Sequence, residues 1–85
     1  MSKSKSKVFA DFQNADSLGR LRLNCVGTIE DLAQQGVQLK AGQQLVFYQE
    51  ELEAKGTVVY SAEEKIWVAV IDWNAIEGSH SAFTP

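Results

Sequence analysis

Residues Lys65 to Trp73, Lys-Ile-Trp-Val-Ala-Val-Ile-Asp-Trp, constrain this chain more than any other segment, because apolar side chains fill both sets of alternate positions. Successive side chains of a strand point to opposite faces, and a sheet with one wet face carries polar residues at every second position. This strand therefore has to be covered on both sides. The chain that must do so has 85 residues, enough for one domain with a core of modest size.

The segment before it, Thr57 to Ala62, reads as its hairpin partner, with Glu63-Glu64 at the turn. That centre pairs Ala62 with Lys65, Tyr60 with Trp67, Val59 with Val68 and Val58 with Ala69, and it sorts the side chains into two faces. One face is aliphatic: Val59, Ile66, Val68 and Val70. The other carries Val58, Tyr60, Trp67, Ala69, Ile71 and Trp73 and is aromatic. The aliphatic face is the expected core. Glu-Glu is not the Asn-Gly of a tight primed turn, so a longer loop that shifted the pairing by one residue would dissolve this division.

Elsewhere the elements are short. Val8 to Gln13 reads as a first strand, closed by turn residues Asn14 to Ser17. Gly19 to Val26 is a half-buried strand with Leu21, Leu23 and Cys25 inward and Arg20, Arg22 and Asn24 outward. Thr28-Ile-Glu-Asp31 reads as a helix start with Thr28 as N-cap and acidic residues at the positive end of the dipole, and Gly36 ends the helix. Ile29, Leu32 and Ala33 form its docking face. Val37 to Lys40 is extended, Ala41-Gly42 turns, and Gln44 to Glu50 is the third strand. Glu50 to Glu53 with Lys55-Gly56 then serves as a connection. The resulting fold is mainly β: a small bent antiparallel sheet or a five-stranded SH3-like barrel with one short helix at about 28–35. Residues 1–7 form a disordered basic tail, 8–76 the single barrel-like domain, and 77–85 a loose C-terminal tail.

Charge narrows the partners. The formal net charge is −3, and three of the eight positive residues, Lys3, Lys5 and Lys7, lie in the first seven positions, so the folded part is more acidic than the total. An acidic surface repels a phosphate backbone, which makes nucleic acid an unlikely partner. One cysteine cannot close an intramolecular disulfide, and no apolar run approaches the roughly 20 residues that span a bilayer. These features point to a cytoplasmic protein without a membrane partner.

No catalytic set emerges. His80, the one histidine, stands between Ser79 and Ser81 in the presumed tail, where nothing holds a Ser-His geometry. Cys25, beside Leu21 and Leu23, reads as a buried, inert thiol. One histidine and one cysteine cannot supply a zinc set, and Glu50, Glu51, Glu53, Glu63 and Glu64 lack calcium-loop spacing. No metal or cofactor is expected. Glu30 and Asp72 are the carboxylates that an enzyme would use, Asp72 because it interrupts an apolar strand.

The aromatic face has the clearest functional potential. Tyr60, Trp67 and Trp73 make a candidate docking platform, since aromatic anchors are enriched at interface hot spots. The plainer alternative covers these rings with the helix and the first strand as a second core layer. The leading reading is a non-enzymatic module that binds a protein partner or a second copy of itself. Single-stranded nucleic-acid binding through Arg20, Arg22 and the lysine tail is one alternative, and a carboxylate enzyme is another.

Gly19-Arg-Leu-Arg-Leu-Asn24, Gly27-Thr-Ile-Glu-Asp-Leu-Ala33, Val59-Tyr-Ser-Ala-Glu-Glu64, Trp67-Val-Ala69 and Ile71-Asp-Trp73 together resemble a family of small uncharacterised bacterial proteins. The resemblance covers most of residues 19–76. It implies a bacterial origin and a free-standing domain, and it transfers no functional residue.

Overall fold

A computed structural model describes residues 7–76. The expectations for residues 1–6 and 77–85, His80 included, lie outside the described residues. The elements in chain order are β1 (Lys7–Phe9), β2 (Leu21–Arg22), α1 (Val26–Gln35), β3 (Gln44–Gln49), β4 (Leu52–Ser61), β5 (Ile66–Ile71) and a 3-10 turn at Trp73–Ala75. The five strands make one sheet in the order β1-β3-β4-β5-β2. The fold is mainly β with one short helix, as the sequence indicates. Two features differ from it. The pairing of β1 with β3 is parallel, and the edge strands β1 and β2 are not joined, so the sheet is an open, mixed one and not a closed barrel.

The β4–β5 register matches the sequence expectation: Tyr60 faces Trp67, Val59 faces Val68 and Val58 faces Ala69. The ladder stops at Ser61 and Ile66, leaving a four-residue loop at 62–65 in which Lys65 takes φ 61°. The longer loop preserves the register because it adds one residue to each side of the Glu63-Glu64 centre. At the other end β5 stops at Ile71, and Asp72 turns the chain by accepting from the Asn74 N–H at 2.9 Å.

The burial of the two faces is the reverse of the expected one. Val8, Leu45, Phe47, Ala54, Val58, Ala69, Ile71 and Leu21 share one face through the strand register and form the buried core. This is the face of Tyr60 and Trp67. The opposite, outer face carries Val46, Val59, Ile66 and Val70, which are half-buried or exposed. β3 decides the matter: its Leu45 and Phe47 pair with Gly56 and Ala54 and so join the Val58 face, whereas Val46 and Tyr48 join the outer one. Phe47 can lie flat there because Gly56 has no side chain; a Cβ at that position would meet the Phe47 ring at 2.9 Å and Ile71 at 2.8 Å.

The sheet is bent, with its edge strands unjoined: the chain leaves β2 after Arg22 and within five residues places α1 along the β1 edge. Buried Phe12, Leu23 and Leu32 complete the core, with Val37, Leu39 and Ile76 packed against it.

The helix differs from expectation in start and phase. It begins at Val26 after the N-cap Cys25, with no acidic residue in its first turn and no side-chain cap; Thr28 is inside it and fully buried. Ile29 faces outward, 54% exposed. Leu32 enters the core as expected, and the other residues that dock are polar: the Thr28 hydroxyl donates to the Phe9 carbonyl at 2.7 Å, the Gln35 amide donates to the Lys7 carbonyl at 2.8 Å, and Asp31 accepts the Phe9 N–H at 2.9 Å. α1 packs on the open edge of a strand, whose surface is backbone N–H and C=O, so its inward stripe carries hydrogen-bonding groups. Gly36 ends the helix in the left-handed region at φ 68°, and Val37 N–H closes the cap on the Leu32 carbonyl.

The second edge is sealed too. Ala15 bridges to Leu21, and Arg22 N–H donates to the Asn14 carbonyl. The turn that brings residues 14–15 there is stapled by Asp16, which accepts from the Leu18 and Arg20 N–H groups and from the Arg20 side chain. Lys7, expected in the tail, is the first residue of β1 and pairs with Glu53 at 2.9 Å. Residues 52–56, expected as a connection, belong to β4; the β3–β4 loop is only Glu50-Glu51.

Candidate functional site

The three nominated aromatics fall into two places on the core side. Tyr60 and Trp67 meet edge to face with ring centroids 5.2 Å apart at the far end of β4 and β5. Trp67 is half-buried against the core, while Tyr60 is 49% exposed. Trp73 is 40% exposed beyond the end of β5, where its indole N–H donates to the Gly19 carbonyl at 2.8 Å and its ring meets Phe12 edge to face. Six residues of chain separate the two indoles, about 20 Å in an extended strand. They line no common surface.

Residues that the sequence reading passed over gather around Asp31. Its carboxylate accepts from the Phe9 N–H, from Gln35 Nε2 at 3.0 Å and from the Tyr48 hydroxyl at 3.1 Å. The Gln35 amide, then Phe9 and Tyr48, hold the Asp31 pKa below the usual carboxylate range against the opposing effect of burial. The same bond, with burial and the Asp31 charge, raises the Tyr48 phenol. The spacing Thr28, Asp31, Gln35 is a helical stripe and was present in the sequence, but a polar stripe normally reads as the solvent side.

The candidate arginines are engaged. Arg22 binds Glu64 through two nitrogens, each at 2.8 Å, and also donates to Asn14 and to the Ala15 carbonyl. This Glu64 bond raises the Arg22 pKa, and the partner bond lowers that of Glu64. Arg20 is held by Asp16, which is 8% exposed. Burial is the largest single influence on the Asp16 carboxyl and raises its pKa, but the Arg20 N–H, the Arg20 side chain, the Leu18 N–H and the Arg20 charge together bring it below the ordinary value. A phosphate would have to displace these carboxylates.

Cys25 is half-buried, with Sγ 3.0 Å from the Thr28 hydroxyl. Glu30 is exposed beside a shallow depression next to Tyr48. Asp72 is exposed and lines a cavity of about 270 Å³ with Val46, Glu53, Ala54, Lys55 and Ala75. Among the described residues no three His, Cys, Asp or Glu side chains gather in a metal-binding arrangement, and no helix is long and apolar enough to cross a membrane.

That cavity lies on the outer face of the sheet, where the register aligns three rows. Lys7, Val46 and Lys55 stand side by side, with Asp72 just past the end of β5 in the same hollow; Gln44, Thr57 and Val70 form the next row, and Val59, Val68 and Arg22 the third. A second hollow of about 190 Å³, lined by Gln44, Lys55, Gly56, Thr57 and Val70, adjoins the first at Lys55. Val68 is fully buried beside Arg22, its cross-strand neighbour. Val70, in contrast, is 47% exposed. Comparison with protein-family models, with curated proteins and with solved structures finds no match for this chain. The functional reading accordingly stands on geometry.

Proposed function

We propose that this protein is a small, non-enzymatic protein-binding module that meets its partner through a side-chain face and not through a strand edge. The observation that carries the reading is the contrast between edges and face. Both outer edges of the sheet are capped by the chain's own groups, Thr28, Asp31 and Gln35 on β1 and residues 14–15 on β2. Strand addition has no open template there. The outer face of β3, β4 and β5 keeps Val46, Thr57, Val59 and Val70 at positions where a wet sheet would carry polar residues.

The aromatic side has less support as the docking surface, because Trp67 packs against the core and Trp73 is tied to Gly19. Engagement of Arg20 and Arg22 by carboxylates weighs against nucleic acid, and in the open hollow at Asp72 the second carboxylate, Glu53, is tied to Lys7. The SH3-like comparison is kept to size and strand number. A cytoplasmic setting is supported by the single, unpaired Cys25.

The test is whether the outer face is dispensable for folding. Val59→Lys and Val70→Lys should each retain the circular dichroism spectrum and, in dilute solution, a melting temperature within a few degrees of the parent. Unfolding by either substitution would make the face part of the domain's own stability and remove the reading.

A further inference from the structure

We propose that the outer face of β3, β4 and β5 is covered in solution by the same face of a second copy of this chain, with Lys55 of each protomer meeting Asp72 of the other across a two-fold axis. This rests on the interaction-module reading and names its partner. β5 is apolar on both sides, so it has to be covered twice. The chain covers the inner side completely at Ala69 and nearly so at Ile71. On the outer side of β5 Val68 alone is fully buried and Val70 stays half in water, with no element of the described residues covering it.

Charge selects the occupant. Lys55 and Asp72 lie just past the Gly56–Ile71 pair and line one hollow, yet among the described residues they form no ion pair. Lys7 and Glu53 neutralise each other alongside. The face therefore carries Lys7, Lys55 and Arg22 against Glu53, Asp72 and the Arg22-bound Glu64, within a chain whose net charge is −3. It is a place where two acidic copies can meet without repulsion. A two-fold axis presents each patch to itself, so a surface bearing one free cation and one free anion beside a β-branched stripe is complementary to its own rotated copy. Such stripes interdigitate when two sheets stack about 10 Å apart.

Sedimentation equilibrium from micromolar to millimolar chain gives the test, using the full chain. The wild type should move from 9.4 kDa toward twice that mass. Lys55→Glu and Asp72→Lys, each with a native circular dichroism spectrum, should stay monomeric alone, and an equimolar mixture should regain the heavier species because positions 55 and 72, both acidic in one variant, then meet the same two positions, both basic, in the other. Val70→Glu, which leaves both charges in place, should also abolish the heavier species and serves if either charge variant fails to fold. A wild type that stays at 9.4 kDa at millimolar concentration overturns the inference and leaves the face to a different protein. So do variants that associate like the wild type, or a mixture that fails to recover. Failure of the module reading is separate: it appears as unfolding of the monomer, not as a change in mass.

Discussion

Thr28 is the residue on which helix and sheet most directly depend. Its hydroxyl is fully buried, donates to the Phe9 carbonyl at 2.7 Å and lies 3.0 Å from Cys25 Sγ. Valine has nearly the same shape but no donor, so Thr28→Val would leave the Phe9 carbonyl without its partner in a place water does not reach. An unsatisfied buried group costs about 1–3 kcal/mol. Urea unfolding of Thr28→Val should show a loss in that range, while Thr28→Ser, which keeps the hydroxyl, should lose less. A Thr28→Val protein as stable as the parent would show that the hydroxyl bond adds nothing net. Read as sequence, Thr28 looks like an N-cap because threonine before acidic residues usually is one. The structure gives the same hydroxyl a different backbone group to satisfy. Nothing local to residues 26–31 distinguishes the two roles, since the distinguishing atom, the Phe9 carbonyl, lies 19 residues away.

Among the elements, the β4–β5 hairpin was legible down to its register, whereas the helix was legible in its existence and its Gly36 end but not in its start or phase, and the difference is physical. Hairpin register depends on two adjacent segments and a symmetric loop, all within residues 57–71. The phase of α1 depends on what it packs against. Of the expected Ile29, Leu32 and Ala33 only Leu32 turns inward; the strand edge draws in Thr28, Asp31 and Gln35 beside it. The β3–β4 hairpin was obscured by its composition. Glu50-Glu51 followed by Glu53 resembles a solvated connection, yet only two residues separate Gln49 from its partner Leu52. Glu50 takes φ 55° to make that turn. A side chain in this region is strained, and glycine relieves it at the cost of greater freedom in the unfolded chain. Glu50→Gly should therefore raise stability by about 0.5–1 kcal/mol, seen as a higher melting temperature. An unchanged or lower melting temperature would show that the loop holds Glu50 without strain.

At the scale of the whole molecule, an open sheet becomes a closed domain because polar side chains do the sealing, and this ties stability to their ionisation. Asp31 joins α1 to β1 and β3, Asp16 staples the turn that covers β2, and Glu64 holds Arg22 over Val68. All three carboxyls have folded pKa values below their ordinary ones. Each then binds fewer protons folded than unfolded as the pH falls through the carboxylate range. Their contribution is fully present above the unfolded values of about 4 and is lost as the pH drops through the depressed folded values. Tyr48 sets the other limit. Its raised pKa makes its contribution present below the ordinary value of about 10 and lost as the pH rises through the folded one. Thermal unfolding across pH should give a plateau between about 5 and 9 with a decline on each side. Asp31→Asn should lower the plateau and flatten both declines, because Asp31 is the acid of one limb and the acceptor that holds the Tyr48 hydroxyl in the other. A variant that lowers the plateau but keeps the alkaline decline unchanged would show that Tyr48 titrates independently of the helix seal on β1.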